Sequence, residues 1–291
     1  MNTESSLIRL LAFNVYPLTF IAHLSPLAAG WRRPRSLGSA IDRQPTFPLL
    51  RAPANDARVW AVTTARQHLI IDADDTLWED SSYFEQAIEE FITFLNHPTL
   101  SRAQVRAILD EIELANSGLH PFGSWAFAQN LGECYGRLAK GPIDAADLAR
   151  ATELGSRLLY QPRQVIEGVP ETLHYLAPRH DLILFTKGHP VEQSLKLKTS
   201  GLAIFFRHIE IARAKNPSVY SSLAARLGLD RARTWMIGNA PRSDINPALA
   251  AGLNAVYIPH AQTWRLEHEE ISQGPGRLLV LGRFAELVRY F

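Results

Sequence analysis

From Gln67 onward, short apolar runs alternate with segments of helical periodicity. Six runs of four to six residues are predicted to form strands, at 68–72, 181–186, 207–211, 234–238, 255–258 and 278–281. Five of the six contain a continuous apolar stretch of three or four residues, which is typical of parallel strands covered by helices on both faces. Helical segments lie between successive runs from the second to the fifth, at 190–200, 217–227 and 244–251. The pattern predicts an α/β fold, a Rossmann-like three-layer sandwich with a parallel central sheet.

A long insertion without a strand pattern, residues 79–163, separates the first two runs. Apolar residues recur there at helical spacing in four segments, the first marked by Phe84, Ile88, Phe91 and Leu95. Ser101 and Gln104 form a predicted capping box at the start of the second segment. Trp125, Phe127 and Tyr135 are predicted to pack in the interior of this insertion. The sequence therefore predicts a helical domain at 79–163, inserted into a core formed by 67–78 and 164–291.

The first 66 residues differ in composition from the rest of the chain. They hold eight arginines, three acidic residues and six prolines, and proline interrupts helices and strands. We expect a mostly disordered extension, with a targeting segment as the alternative. The apolar stretch at 7–29 contains Arg9, Pro17 and Pro26, which argues against a stable membrane anchor. The cytoplasm is the expected location.

Composition excludes several kinds of site. The formal charge of the 291-residue chain is +1, so no basic surface field argues for a nucleic-acid partner. A single cysteine, Cys134, excludes an internal disulfide framework and a zinc site built from several cysteines. Ten histidines lack the spacing of known histidine metal motifs. The oligomeric state is left open.

Chemically useful side chains follow the predicted strands at their carboxyl ends, where open parallel sheets bind ligands. Asp72 and Asp74 leave the first strand with one residue between them, a spacing suited to a nucleophile and an acid/base group. The alternative is an acidic turn that caps a helix. Asp244 follows the fourth strand and could ligate Mg²⁺, or it could serve only as a helix cap.

Two further strand ends carry groups suited to phosphate. Thr186 and Lys187 end the second strand, where a hydroxyl and loop amides can hold phosphate oxygens, although an ordinary turn explains them equally well. Lys215 follows the third strand, and its ammonium can act as a point charge on a phosphoryl group. The chain has only five lysines, and two stand at these loops. A solvated surface lysine is the alternative for either one.

Taken in chain order, the motifs are Asp72-x-Asp74-x-Thr76, Thr186, Lys215 and Gly238-Asn239-x-x-x-x-Asp244. This order, over residues 67 to 260, resembles the haloacid dehalogenase-like hydrolase superfamily, whose members are mostly Mg²⁺-dependent phosphatases. The helical insertion resembles a cap of the C1 type. The resemblance implies a phosphomonoester hydrolase that acts on a small phosphorylated metabolite through an aspartyl-phosphate intermediate.

The resemblance also implies individual roles. Asp72 would be the nucleophile, and Asp74 would protonate the leaving alcohol and then deprotonate the hydrolytic water. Mg²⁺ would be held by Asp72, by the backbone carbonyl of Asp74 and by Asp244, with Asn239 as an additional metal candidate. The phosphate group would be bound by Thr186, the amide of Lys187 and Lys215.

The motifs depart from the family pattern at two positions. Asn239 stands where the family usually has an aspartate, which removes one negative charge from the metal environment. Asp75 stands where the first motif usually has glycine. Dehalogenases of the superfamily generally lack an acid two residues after the nucleophile, so Asp74 argues for an oxygen leaving group. A phosphomutase, or a weakened paralogue that binds a phosphate ligand or regulates a partner, remains as an alternative.

The turn at 120–124 lies between two helices of the insertion. A cap must reach the catalytic rim to shield the reacting phosphate from water, and a short glycine-containing loop can project there. His120, Phe122 and Ser124 are therefore predicted to face the active site and select the substrate. The alternative is an ordinary helix connection on the outer surface.

Overall fold

A computed structural model describes residues 65–117, 122–139 and 141–291. Six strands form one parallel sheet in the order β3-β2-β1-β4-β5-β6. Their bounds are β1 His68–Ile71, β2 Asp181–Lys187, β3 His208–Ala212, β4 Thr234–Gly238, β5 Asn254–Tyr257 and β6 Leu278–Val280. The predicted α/β, Rossmann-like fold is confirmed. The predicted extension at 1–66 lies outside the described residues except for its last two, of which Arg66 donates to Asp181 at 2.9 Å.

Helices connect these strands. Between β1 and β2 lie α1 Ser81–Leu95, α2 Arg102–Asn116, α3 Ser124–Leu138, α4 Ala145–Ser156 and α5 Val169–Leu176. The later connections contain α6 Pro190–Ser200, α7 Pro217–Leu227 and α8 Asn246–Ala250. The helix predicted at 244–251 begins later, as α8, because residues 244 and 245 belong to a π-helical turn, Pro241–Ile245. In that turn the Ile245 amide donates to the Ala240 carbonyl at 3.3 Å. None of the described helices is long and apolar enough to cross a lipid bilayer.

The central strand β1 is apolar because it is covered on both faces. Leu69 and Ile71 pack on one face in a cluster that includes Leu173 of α5. Ile70 points to the other face and packs in a cluster with Tyr220 of α7. Burying one such large apolar side chain contributes about 1.5–3 kcal/mol. The alternation produces helix, sheet and helix layers, with the core on both sides of the sheet.

The third strand differs from the expectation of full burial. Each residue of β3 is only partly buried, because this strand pairs with β2 alone and forms one edge of the sheet. β6 forms the other edge, where Leu278 and Val280 are exposed. The run at 207–211, in which three of five residues are polar, therefore predicted a strand correctly but not its position at the edge of the sheet.

Helices α1 to α4 have an apolar cluster of their own, which includes Phe91, Leu109 and Leu131. The capping box is confirmed, since the Ser101 amide donates to Gln104 Oε1 at 2.9 Å and the Gln104 amide donates back to Ser101 Oγ at 3.3 Å. Phe127 and Tyr135 are buried as predicted, but Trp125 is 56% exposed, so its predicted burial is wrong. Trp125 precedes Phe127 by two residues, about 200° around a helix, and therefore faces the opposite side.

Candidate active site

The sheet brings the predicted strand-end residues to one cleft. Asp72 directly follows β1, and its amide continues the ladder by donating to the Ile237 carbonyl of β4 at 2.9 Å. Thr186 lies in β2, and Lys215 and Asp244 lie in the segments after β3 and β4. Predicted residues that line the cleft are Asp72, Asp74, Phe122, Thr186, Lys187, Lys215, Asn239 and Asp244. The carboxyl ends of parallel strands lie along the same side of a sheet, which is why the residues converge.

The ammonium of Lys215 lies between two carboxylates. Its Nζ donates to Asp72 Oδ1 at 2.5 Å and to Asp244 Oδ1 at 2.7 Å, and all three side chains are nine-tenths buried or more. Burial raises the pKa of Asp72 to about 7, with the charge of Asp244 acting in the same direction and Lys215 acting against both. Burial alone would lower the pKa of Lys215, but the two carboxylates outweigh it and raise that pKa. The site therefore holds a permanent cation beside the predicted nucleophile.

The position of Asp244 depends on a glycine. A Cβ atom added to Gly238 would lie 2.6 Å from Asp244 Cγ, too close for any real contact. Asp244 Oδ2 accepts from the Ala240 amide at 3.1 Å, which fixes the carboxylate against the end of β4. The first residue of the fourth motif is thus glycine because the last residue of that motif folds back over it.

Asp74 is held by three donors. Trp78 Nε1 and Lys196 Nζ donate to its Oδ1 at 2.8 Å and 3.1 Å, and Gln193 Nε2 donates to its Oδ2 at 2.7 Å. Burial would raise the pKa of Asp74, but the charge of Lys196 and these hydrogen bonds outweigh it and lower that pKa. Asp74 is therefore a carboxylate at neutral pH in this arrangement.

Lys196, Asp80 and Arg163 were missed by the sequence analysis. Its Nζ lies 2.9 Å from Asp80 Oδ1 as well as contacting Asp74, and Arg163 Nε donates to the same Asp80 oxygen at 2.5 Å. Burial, assisted by the charge of Asp74, raises the pKa of Asp80 to about 6. The available signal was the scarcity of lysine, since the chain has only five and two of them, Lys187 and Lys215, were already assigned to the site.

Both departures from the family motif have local partners. Asp75 adopts a φ of +58°, the left-handed region that favours glycine, and its carboxylate accepts from the amides of Asp80 and Ser81 at 2.8 Å and 3.0 Å and from the Ser81 hydroxyl at 2.5 Å. Asn239 Nδ2 donates to Thr263 Oγ1 at 3.0 Å, and Thr76 Oγ1 donates to Asn239 Oδ1 at 3.3 Å. The amide at Asn239 thus joins the first motif to the loop after β5.

The side chain of Lys187 makes contacts that are separate from the phosphate-binding role predicted for its backbone amide. Its Nζ pairs with Glu267, donates to Ser243 Oγ at 3.1 Å and lies 4.4 Å from the ring centre of Phe122. These contacts place the ammonium at the rim of the cleft beside the insertion. The phosphate-binding role of its amide stays a prediction.

The turn predicted to select the substrate reaches the cleft in part. His120 lies outside the described residues. Phe122 lines the cleft and stacks edge to face with Trp264 at 5.4 Å between ring centres. Ser124 is fully buried instead, and its amide and hydroxyl donate to Glu192 of α6 at 2.8 Å and 2.7 Å. Ser124 therefore fastens the insertion to the core and does not face the cleft.

Oxygen ligands suitable for a divalent cation occur at the strand ends. Asp72 and Asp244 present two carboxylates against the single positive charge of Lys215, an excess of negative charge that suits a hard cation such as Mg²⁺. A different trio, Asp75, Glu79 and His260, brings ligand atoms within 4.8 Å of one another among the described residues. That trio is engaged already, since His260 Nε2 lies 3.2 Å from Glu79 and Asp75 accepts the three bonds above. The carboxylates of Asp72 and Asp244 are engaged as well, by Lys215, so either group would have to exchange contacts to hold a metal.

The opposite wall of the cleft comes from α1, α2 and α3. The space between the two walls, with its open mouth, is about 1170 Å³. Rings and polar groups from the insertion share this wall, and they include Phe84, Glu113, Asn116, Phe127 and Asn130. A ligand held at the strand ends would therefore have its other end in a chamber lined by both aromatic rings and polar groups.

Comparisons with known proteins place the chain in a family. A family model described as haloacid dehalogenase-like hydrolase matches residues 67–252. A haloacid dehalogenase-like family hydrolase from Xanthomonas campestris is similar in structure, with a TM-score of 0.65 and 29% identity over 77% of this chain and 95% of the other. No curated protein matches the sequence.

Two more distant structures share the fold alone. The putative hydrolase YfnB from Bacillus subtilis, bound to magnesium, has a TM-score of 0.56 and 19% identity over 77% of this chain and 98% of its own. L-2-haloacid dehalogenase from Xanthobacter autotrophicus has a TM-score of 0.53 and 17% identity over 77% of this chain and 97% of its own. The family match covers more than half of the chain and contains all four motifs, so this protein belongs to the haloacid dehalogenase-like hydrolases.

Proposed function

We propose that the protein is a Mg²⁺-dependent phosphomonoester hydrolase that acts on a small phosphorylated metabolite through an aspartyl-phosphate on Asp72. The observation that carries the proposal is the contact of one buried ammonium, Lys215, with both Asp72 and Asp244 at the sheet edge where β2 also delivers Thr186. The magnesium bound to the YfnB structure supports the choice of metal. The cytoplasm, where most small phosphate esters occur, is the proposed place of action.

In the first step, a carboxylate oxygen of Asp72 would bond to phosphorus while the bond from phosphorus to the ester oxygen breaks. Lys215 would offset the repulsion between this carboxylate and the phosphate, and Thr186 with the Lys187 amide would hold non-bridging oxygens. Mg²⁺ on Asp72, the Asp74 carbonyl and Asp244 would add the positive charge that lets two anions approach. Water would then hydrolyse the acyl-phosphate and restore Asp72.

The ionisation state of the Asp74 side chain determines which proton transfers it can carry out. As a carboxylate it suits the second step, in which it would take a proton from water. In the first step a carboxylate cannot donate, so the contact with Lys196 must loosen or the leaving oxygen must depart with less help. Aryl phosphates, whose leaving oxygens are more acidic than those of alkyl phosphates, should therefore be hydrolysed faster.

The test is Mg²⁺-dependent phosphate release from 4-nitrophenyl phosphate. Asp72→Asn should abolish turnover, because an amide oxygen cannot form the acyl-phosphate, and its thermal unfolding should stay cooperative. Asp230→Asn is the matched control, since this exposed carboxylate lies beyond the opposite end of β4 and should leave activity unchanged. Retention of most activity in Asp72→Asn would refute the covalent mechanism.

Other reactions of the superfamily give different products in the same experiment. A phosphomutase would move phosphate between positions of one sugar without releasing it. A dehalogenase would release halide from a 2-haloacid and no phosphate from esters. Ion chromatography of phosphate and halide therefore separates a hydrolase from a dehalogenase, and isomerisation of a sugar phosphate without phosphate release would identify a mutase. Halide release without phosphate release would overturn the proposal.

A further inference from the structure

One carboxyl group in the cleft has no role in the chemistry above. Glu113 of α2 is 93% buried, since only 7% of its surface is exposed, and it lines the same cleft as Asp72. The only hydrogen bond of its side chain among the described residues is a long one of 3.4 Å, accepted at Oε2 from Trp264 Nε1. A buried carboxyl group that faces a cavity with so few donors has the capacity to bind a donor brought by a ligand.

The neighbouring cations are already engaged with other carboxylates. Arg106 donates to Glu85 at 2.5 Å and 2.9 Å and to Asp110 at 2.7 Å, and Arg265 pairs with the same Asp110. Two arginines therefore face three acidic groups when Glu113 is counted. When Glu113 is ionised, this group of side chains therefore carries one negative charge in excess, which one more cation would neutralise.

Aromatic rings complete the chamber around this group. Trp264 contacts Glu113 directly and pairs with Phe122, and Phe84 pairs edge to face with Phe127 at 5.0 Å between ring centres. Ring faces attract cations, and rings with a nearby carboxylate are how proteins recognise organic ammonium groups. Lys187 also lies near Phe122, but its ammonium is paired with Glu267.

We infer that the phosphate ester cleaved by this protein carries an organic ammonium on an apolar, aromatic-sized body, and that Glu113 binds this ammonium. The inference rests on the proposed function, because it assumes that the phosphate end of the substrate sits at Asp72. A neutral hydroxyl would satisfy the hydrogen bond of Glu113 but would leave the excess of negative charge uncompensated.

The kinetic test compares two esters of nearly equal shape. These are 4-(2-aminoethyl)phenyl phosphate, which carries an ammonium, and 4-propylphenyl phosphate, which does not. At pH 8, kcat/KM should favour the amine about 10- to 100-fold, as expected for one buried, charge-assisted hydrogen bond. Glu113→Gln should reduce this preference to within about threefold by lowering kcat/KM for the amine. Glu111→Gln, an exposed position on the same helix, is the control and should keep the preference.

A binding measurement separates this inference from the proposed function. Calorimetric titration with tyramine should show binding that Glu113→Gln weakens at least about tenfold, whereas 4-propylphenol should bind equally to both proteins. Phosphate release without an amine preference, or a preference that survives in Glu113→Gln, would overturn the inference and leave the hydrolase intact. Absence of phosphate release from every ester would overturn the proposed function, and the inference would then fall only if tyramine bound both proteins equally.

Discussion

Replacing Glu113 with Gln should make the protein more stable above neutral pH than below it, relative to the wild type. Burial raises the pKa of Glu113 in the folded chain to about 7, with Arg106 acting in the opposite direction, against 4.5 for an ordinary glutamate. The folded chain therefore binds this proton more tightly than the unfolded chain does. The contribution of Glu113 to stability is full below pH 4.5 and is lost as the pH rises through 7.

The size of the effect follows from the same two values. At 1.36 kcal/mol per pH unit, the interval from 4.5 to about 7 corresponds to about 3 kcal/mol as an upper value. Gln matches the protonated side chain in shape and cannot ionise, so the variant escapes this loss. The free energy of unfolding of the variant, minus that of the wild type, should rise by about 2–3 kcal/mol between pH 4.5 and pH 8.

Urea unfolding at several pH values between 4.5 and 8 measures this difference directly. Titrations of other groups, such as Asp72 and Asp80, occur in both proteins and cancel in the comparison. Glu111→Gln on the same helix controls for the loss of an exposed carboxylate and should show a difference independent of pH. A difference for Glu113→Gln that stays constant within about 0.5 kcal/mol would mean that the folded protein accommodates the ionised carboxylate, and the reasoning from burial would be wrong.

Three other substitutions test the geometry of the site. Gly238→Ala should remove most activity and cost about 1–3 kcal/mol of stability, because its Cβ collides with Asp244, and normal phosphate release would contradict this. Lys196→Met should cost about 3–5 kcal/mol in urea unfolding, since it leaves buried carboxylates unpaired. It should also move the acidic limb of the pH–rate profile to higher pH by raising the pKa of Asp74, and an unmoved profile would show that this pKa does not depend on Lys196. Asn239→Asp should lower the Mg²⁺ concentration for half-maximal activity several-fold through added charge, and an unchanged requirement would place residue 239 away from the ion.

The sheet and its strand ends could be predicted from the sequence because their signals are local. A run with a continuous apolar centre, such as 181–186, indicates a strand buried on both faces, and β2 occupies that position. Once the strands are parallel, the residues after each run must gather at one edge. The sequence therefore predicts that Asp72, Lys215 and Asp244 lie together, and Lys215 contacts both carboxylates.

The environment of Asp74 could not be predicted in this way. Its partners Gln193 and Lys196 lie on α6, more than a hundred residues later, and their contact depends on how that helix docks on the sheet. In a sequence such as that of α6, polar and charged residues on a helix with few apolar positions favour a helix face exposed to solvent. Here Glu192, Gln193 and Lys196 are all buried, so the polar face of α6 is turned toward the site.

The departure at Asp75 shows how a motif can change without losing its geometry. A non-glycine residue in the left-handed region costs about 1–2 kcal/mol, which explains why this superfamily usually has glycine there. The Asp75 carboxylate accepts three hydrogen bonds from Asp80 and Ser81, where α1 begins, and hydrogen bonds of this kind contribute about 0.5–1.5 kcal/mol each. The strain is therefore offset locally, and the chain still turns from β1 into the insertion with Asp72 and Asp74 in place.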